Sequence, residues 1–230
     1  MDSLTTLFSK SQYLRNAEVK QVLKSKKHRV YLVNIDKKEM VLKWYQQGYQ
    51  KNMIKEYKIL KETSTPYPKP FVIRKNEKEG FLLISYINGQ NICDLINNPR
   101  FCFRRKILLI QHLSHWFTQF HDYHQSKKET LVHGDAHLRN FIATPKGIIY
   151  GLDFEETFRG DFMIDIADFC ASILTTNPMF TEEKHKLVDT FMQHYDELTS
   201  YKLKDIEKKI NQSVQKTEER RKKMINRDFK

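Results

Sequence analysis

The sequence predicts an α+β fold, with a small antiparallel sheet and one helix in front and a mainly helical back. Three observations lead there. Short runs rich in Val, Ile, Leu and Tyr, separated by lysine-rich turns, fill the first third of the chain. A proline cluster at residues 63–70, TSTPYPKP, interrupts it. Long stretches with apolar residues at helical spacing occupy most of the remainder. At 230 residues the chain is long enough for one compact unit or two small lobes, and 40% hydrophobic and 12% aromatic content suits a globular core.

In order, residues 1–16 predict a short helix or arm. Residues 17–23, 29–35 and 39–45 read as strands. The first turn, residues 24–28 (KSKKH), has no glycine, yet offers backbone N–H groups, the Ser25 hydroxyl and positive charge. Lys43 lies inside the apolar run MVLKWY; such a lysine is costly unless its ammonium meets an anion or sits on an exposed edge. Residues 52–62 predict a helix with Met53, Ile54, Tyr57, Ile59 and Leu60 on its apolar side, ended by the prolines. Residues 71–74 and 81–87 read as strands joined by a charged turn, with Asn88-Gly89 as the way out. Residues 101–125 form the longest helical stretch, striped by Ile107, Leu108, Ile110, Leu113, Trp116, Phe117 and Phe120. His112, His115, His121 and His124 lie on or near that stripe, but no cysteine or carboxylate with ligand spacing accompanies them as zinc binding would need. Further helices are expected at 162–174, 181–195 and 204–224. The last has few large apolar residues, so it reads as a surface helix or partly frayed tail.

The chain is organised around residues 131–170, LVHGDAHLRNFIATPKGIIYGLDFEETFRGDFMIDIADFC. Asp135 and Asn140 stand five apart in a polar loop. Asp153 ends the apolar run of residues 147–152. Between them Thr144-Pro145-Lys146-Gly147 has hairpin-turn composition, which lays two short strands back to back and gathers Asp135, Asn140 and Asp153. An isolated Asp and Asn at this spacing more often marks a turn. Here a His-Gly-Asp start, a hairpin and a second strand ending in Leu-Asp-Phe surround the pair. Phosphoryl transfer asks for such groups: one carboxylate to orient and accept a hydroxyl proton, and oxygen ligands to hold Mg²⁺ against phosphates.

Three blocks carry a family resemblance: His133-Gly134-Asp135-Ala136-His137-Leu138-Arg139-Asn140, Leu152-Asp153-Phe154-Glu155, and Gly160-Asp161-Phe162-Met163-Ile164-Asp165-Ile166-Ala167. In order and spacing they resemble the aminoglycoside phosphotransferase and choline kinase branch of the protein-kinase-like superfamily. The resemblance implies a two-lobed protein-kinase-like fold, with a front lobe over residues 1–85, a back lobe over 86–200 and a basic helix or tail over 201–230. It implies ATP- and Mg²⁺-dependent transfer of the γ-phosphoryl group to a hydroxyl, with a small-molecule acceptor favoured. Asp135 is then the catalytic base, and His137 positions the loop or the γ-phosphate. Asn140 and Asp153 are Mg²⁺ ligands, and His133 and Asp165 have structural roles, Asp165 beneath the catalytic loop. Lys43 holds the α- and β-phosphates, supported by Glu56, with Glu62 as fallback. Ser25 belongs to the loop over the phosphates, and Tyr86 and Ile87 to the hinge whose backbone binds adenine. Gly134 stands where protein kinases often carry Arg, so control by a phosphorylated activation loop is not expected.

The back lobe is short for this branch and leaves little room for the helical subdomain that grips aminoglycosides. Compactness and a basic tail also resemble the small atypical kinase of the KEOPS tRNA-modification complex. An atypical Ser/Thr kinase or ATPase with a protein or RNA partner therefore stays open beside the small-molecule kinase, as does a catalytically silent nucleotide-binding scaffold. The net charge of +12 divides unevenly: 17 Lys/Arg against 6 Asp/Glu in residues 1–75, 12 against 17 in 76–201, and 11 against 5 in 202–230. That pattern suits an anionic nucleotide, or a nucleic acid or other polyanion at the basic tail, and equally a solvated surface. No run approaches a membrane span, no signal peptide is evident, and three scattered cysteines suit a reducing cytoplasm.

Overall fold

The computed structural model describes residues 8, 11–126 and 129–228, with side chains described through residue 223. The helix or arm expected over residues 1–16 falls mostly outside them. The chain forms two compact units, Met1–Ser64 with Lys69–Asn88, and Thr65–Pro68 with Gly89–Lys230.

The front unit is an antiparallel five-stranded sheet. It comprises β1 (Glu18–Leu23), β2 (Arg29–Ile35), β3 (Lys38–Trp44), β4 (Val72–Asn76) and β5 (Phe81–Ser85), in the order β1-β2-β3-β5-β4. Alternation decides its faces. Tyr31, Val33 and Ile35 of β2, Leu42 of β3, and Phe81 and Leu83 of β5 are buried in one cluster with Leu14, against which Met40 and Trp44 pack. Lys43 therefore belongs to the other face of β3, between Leu42 and Trp44. The β2–β3 turn is Asp36-Lys37, both at positive φ (50° and 64°), and pairs Ile35 with Lys38 as a two-residue hairpin does. The helix α1 (Gln50–Leu60) buries Met53, Glu56, Ile59 and Leu60.

The back unit holds α2 (Ile92–Asn97), α3 (Phe103–Tyr123), α4 (Met163–Thr175), α5 (Glu182–Leu198) and α6 (Ile206–Asp228). Its strands are short: β6 (Gln90–Asn91), β7 (Thr130–Val132), β8 (Phe141–Ala143), β9 (Ile149–Gly151) and β10 (Phe158–Gly160). They pair as β6-β8-β9 and as β10-β7. The apolar stripe of α3 builds the core: Trp116 and Phe117 meet Phe141 at 5.1 and 5.2 Å, and Phe117 meets Phe169 and Phe191 at 5.0 and 5.6 Å between ring centroids. Trp116 also sits on Gly151, where an added Cβ would fall 2.2 Å from its ring, so β9 needs glycine there. The expected hairpin is present, with residues 144–147 joining β8 to β9 and Gly147 at φ 78°.

Three details differ from the sequence reading. The strand expected over residues 81–87 stops at Ser85, whose backbone N–H donates to Phe71 O at 3.0 Å while its hydroxyl accepts from Phe71 N–H. β7 and β10 were not expected; three residues are too few to show a period. The C-terminal segment is a continuous helix docked on α4. Ile206, Ile210 and Ser213, one turn apart, are buried there, and the Ser213 hydroxyl donates to Asp168 at 2.6 Å. Among the described residues, no helix is long and apolar enough to cross a membrane.

Candidate active site

In the front unit Lys43 answers the question its sequence context posed. Its Nζ lies 2.6 Å from Glu56 Oε2, with both side chains buried. The Tyr45 hydroxyl donates to the same oxygen, and Lys43 Nζ lies 5.2 Å from the centre of the Tyr45 ring. Tyr45 was missed in the sequence; its signal was its place two residues after Lys43, on the same face of an extended chain. Glu62 takes another role: its backbone carbonyl accepts from the buried Lys69, whose pKa burial lowers from the ordinary 10.5. Ser25 is exposed, and its hydroxyl accepts from His28 N–H at 3.3 Å, which shapes the glycine-free loop. Tyr86 and Ile87 follow β5 and are half-buried.

In the back unit the loop from β7 to β8 folds on itself. Asn140 donates from Nδ2 to Asp135 O at 2.8 Å and to Asp135 Oδ2 at 3.2 Å. His137 N–H donates to Asp135 O at 3.0 Å, and His137 Nε2 lies 3.5 Å from Asp135 Oδ2. Leu152 ties the second strand to this loop, its N–H donating to Asn140 O and its carbonyl accepting from His133 Nε2 at 2.8 and 2.9 Å. Asp153 follows directly, in the left-handed region at φ 61° and ψ 63°. The structure thus brings Asp135, His137 and Asn140 into one hydrogen-bonded group, with Asp153 one residue from the link to it.

Beneath lies Asp165, fully buried at the start of α4. Its carboxylate accepts from the backbone N–H groups of His133 at 2.6 Å and Gly134 at 3.0 Å. Gly134 has φ 77°, and a Cβ there would lie 2.5 Å from Glu156 O. His133 is also fully buried, with Phe154 5.0 Å away. Burial lowers its pKa from 6.5 against the opposing pull of Asp165, the Leu152 carbonyl, Asp135 and Asp153. A neutral ring fits its bonding: Nε2–H donates to Leu152 O, and Nδ1 is buried without a hydrogen-bond partner.

The donor set suits a hard divalent cation. With Nδ2 of Asn140 committed to Asp135, Oδ1 is the amide atom left to a metal, and Asp153 adds a carboxylate. Of the helix histidines, His121 bonds Tyr195 and Asp165, and His124 lies 2.7 Å from the Tyr67 hydroxyl, so both serve the interior.

Comparison with known proteins agrees with this geometry. Residues 104–203 match the family model described as the phosphotransferase enzyme family, APH. No curated protein matches the chain. Among solved structures, the streptomycin–ATP complex of APH(2")-IIa superposes with a TM-score of 0.62 at 13% identity, over 88% of this chain and 84% of that one. ADP-bound APH(2'')-Ib gives 0.60 at 14% identity, over 85% and 81%. A putative aminoglycoside phosphotransferase from Ralstonia eutropha gives 0.60 at 12% identity, over 80% and 74%. At these identities the likeness is one of fold. Residues 104–203 are thus similar to that phosphotransferase family, and the chain as a whole shares the fold of the aminoglycoside phosphotransferase structures.

Proposed function

We propose that this chain is an ATP- and Mg²⁺-dependent phosphotransferase that moves the γ-phosphoryl group to a hydroxyl of a small molecule. The observation that carries the reading is the loop in which Asn140 clamps Asp135 while Asp165 holds the backbone just before it. In this reading the Asp135 carboxylate orients the acceptor hydroxyl and takes its proton. Asn140 holds Asp135 in place through Nδ2 and, with Asp153, offers the oxygens that would hold Mg²⁺, whose charge offsets that of the phosphates. Lys43, kept in place by Glu56 and Tyr45, is assigned to the α- and β-phosphates, and the loop at Ser25 to the phosphates' outer side. Tyr86 and Ile87 are assigned to adenine, and His137 beside Asp135 to the γ-phosphate or the loop itself. Catalysis is then mainly positioning and charge neutralisation.

The small-molecule acceptor rests on the similar structures, whose descriptions name streptomycin and gentamicin as bound. The likeness lends no support to a nucleic-acid partner. The three thiols, two buried and one exposed, are free, which suits a cytoplasmic setting.

The test is thermal stability with ATP or GTP, with and without Mg²⁺, for wild type and Asp153→Ala, followed by ADP formation with streptomycin or gentamicin as acceptor for wild type and Asp135→Ala. At a nucleotide concentration a hundredfold above Kd, Mg-nucleotide should stabilise the wild type by about 2.7 kcal/mol. That gain should vanish in Asp153→Ala, and turnover should vanish in Asp135→Ala. A folded wild type indifferent to both nucleotides, or unchanged ADP formation in Asp135→Ala, would overturn the proposal.

A further inference from the structure

Asp165 has a third donor besides the two loop amides. His121 Nε2 lies 3.1 Å from its Oδ2, and the other ring nitrogen, Nδ1, lies 2.9 Å from the Tyr195 hydroxyl. Tyr195, His121 and Asp165 are each fully buried. They come from α5, α3 and α4, so three helices each contribute one polar group to a chain that ends on the backbone of residues 133 and 134.

With a neutral His121 ring, the protons on this chain have one self-consistent placement. Asp165 is an acceptor to two backbone N–H groups, so the imidazole nitrogen facing it carries hydrogen. Nδ1 is then the bare nitrogen, and the Tyr195 O–H donates to it. Burial, helped by Tyr201 and the carboxylates of Asp122, Asp165 and Asp161, pushes the Tyr195 phenol well above its ordinary range, so the hydroxyl keeps its proton. Take the hydroxyl away and Nδ1 is left buried without its donor, so the bond to Asp165 alone orients the ring. A ring that turns or slips from that place costs the fully buried Asp165 a donor.

We propose that Tyr195 is a positioning residue for the catalytic loop: by holding the His121 ring against Asp165 it completes the hydrogen bonding of that carboxylate, and so holds the backbone that carries Asp135. Its catalytic consequence rests on the phosphotransferase reading; the hydrogen-bond chain does not. Tyr195→Phe is a clean probe, because the ring stays packed between Phe162 and Phe191, 6.0 and 6.3 Å away, and only the oxygen leaves.

The experiment uses the full chain with ¹⁵N-labelled histidine, wild type beside Tyr195→Phe. Ring ¹⁵N–¹H correlations report the His121 Nε2–H and its bond to Asp165, amide hydrogen exchange reports residues 133 and 134, and ADP formation from Mg-ATP, with streptomycin or gentamicin as acceptor, reports turnover. Wild type should show a single Nε2–H tautomer. The variant should show an Nε2–H resonance moved upfield as the bond to Asp165 loosens, faster exchange at both amides, and a kcat lower by about tenfold with KM for ATP unchanged, a usual effect of losing a group that orients a reacting one. Unchanged ring resonances with unchanged exchange in the variant would overturn the proposal, as would a loosened bond with unchanged kcat. If the wild type forms no ADP with either acceptor, the reading fails for that acceptor class, and the ring and exchange data still decide whether Tyr195 orders the loop.

Discussion

Gly134 shows how narrowly one position can be fixed by its neighbours. Its φ of 77° is open to glycine and strained for other residues, and Glu156 O occupies the space a Cβ would need, at 2.5 Å. Both costs fall on the residue before Asp135. We expect Gly134→Ala to lower unfolding stability by about 2–4 kcal/mol, strain and overpacking together, and to depress turnover with it. Gly48 is the internal control: φ is 96° there, but nothing lies within 4 Å of the added carbon, so Gly48→Ala should cost only the strain, about 1 kcal/mol or slightly more. Urea unfolding of both variants checks the difference, and equal costs would mean that the residue-156 backbone moves aside freely. At this scale the sequence was informative where a residue contradicted its surroundings. Lys43 stood out as a charge inside an apolar strand, and Asp135, Asn140 and Asp153 as polar groups flanking short apolar runs. Tyr195 did not stand out, and His121 did so only as one of four helix histidines weighed for zinc. Each fits an amphipathic helix, and the bond between them joins residues 74 apart in sequence, a distance no local pattern spans.

Among the elements, long periodic helices could be read to within a few residues, and three-residue strands could not. The β7–β10 pair joins residues 130–132 to 158–160, and although Thr130, Val132 and Phe158 favour extended structure, three residues are too few to show a period. The docking of α6 was under-read for a related reason. Its sequence is dominated by charge, and two isoleucines and a serine at turn spacing looked too sparse to bury. They dock on α4, a largely apolar helix, with Asp168 placed to take the Ser213 hydroxyl. Burial pushes the pKa of Asp168 up, opposed by that bond and by Lys216 and Arg220, so α6 brings the groups that make a half-buried carboxylate tolerable. We therefore expect Ile210→Ala, at a site 5% exposed, to cost about 2–3 kcal/mol in chemical denaturation. A change under about 0.5 kcal/mol, the size usual for surface substitutions, would show α6 to be a loosely held tail after all.

The whole molecule divides its proposed chemistry between two units, with Lys43 in the front one and Asn140 and Asp153 in the back one. It also carries one tryptophan in each: Trp44, half-buried on β3, and Trp116, in the core of the back unit. Trp44→Phe leaves Trp116 as the sole reporter of the back unit, and the difference from wild type isolates Trp44. Thr65–Pro68 and the stretch from Gly89 onward pack together, so Trp116 also reports on the proline segment, whose Pro68 carbonyl accepts from its Nε1–H at 2.8 Å. If one nucleotide engages residues of both units, Mg-ATP should raise the urea midpoint seen by each tryptophan, because ligand free energy stabilises every part of the fold that binding requires. Introducing Lys43→Met should then abolish the shift at both reporters, although the substitution lies in the front unit alone. A shift at Trp116 that survives Lys43→Met would confine the nucleotide to the back unit. Lys43, Glu56 and Tyr45 would then be a buried ion pair and its hydroxyl partner that stiffen the sheet, with no part in phosphate binding.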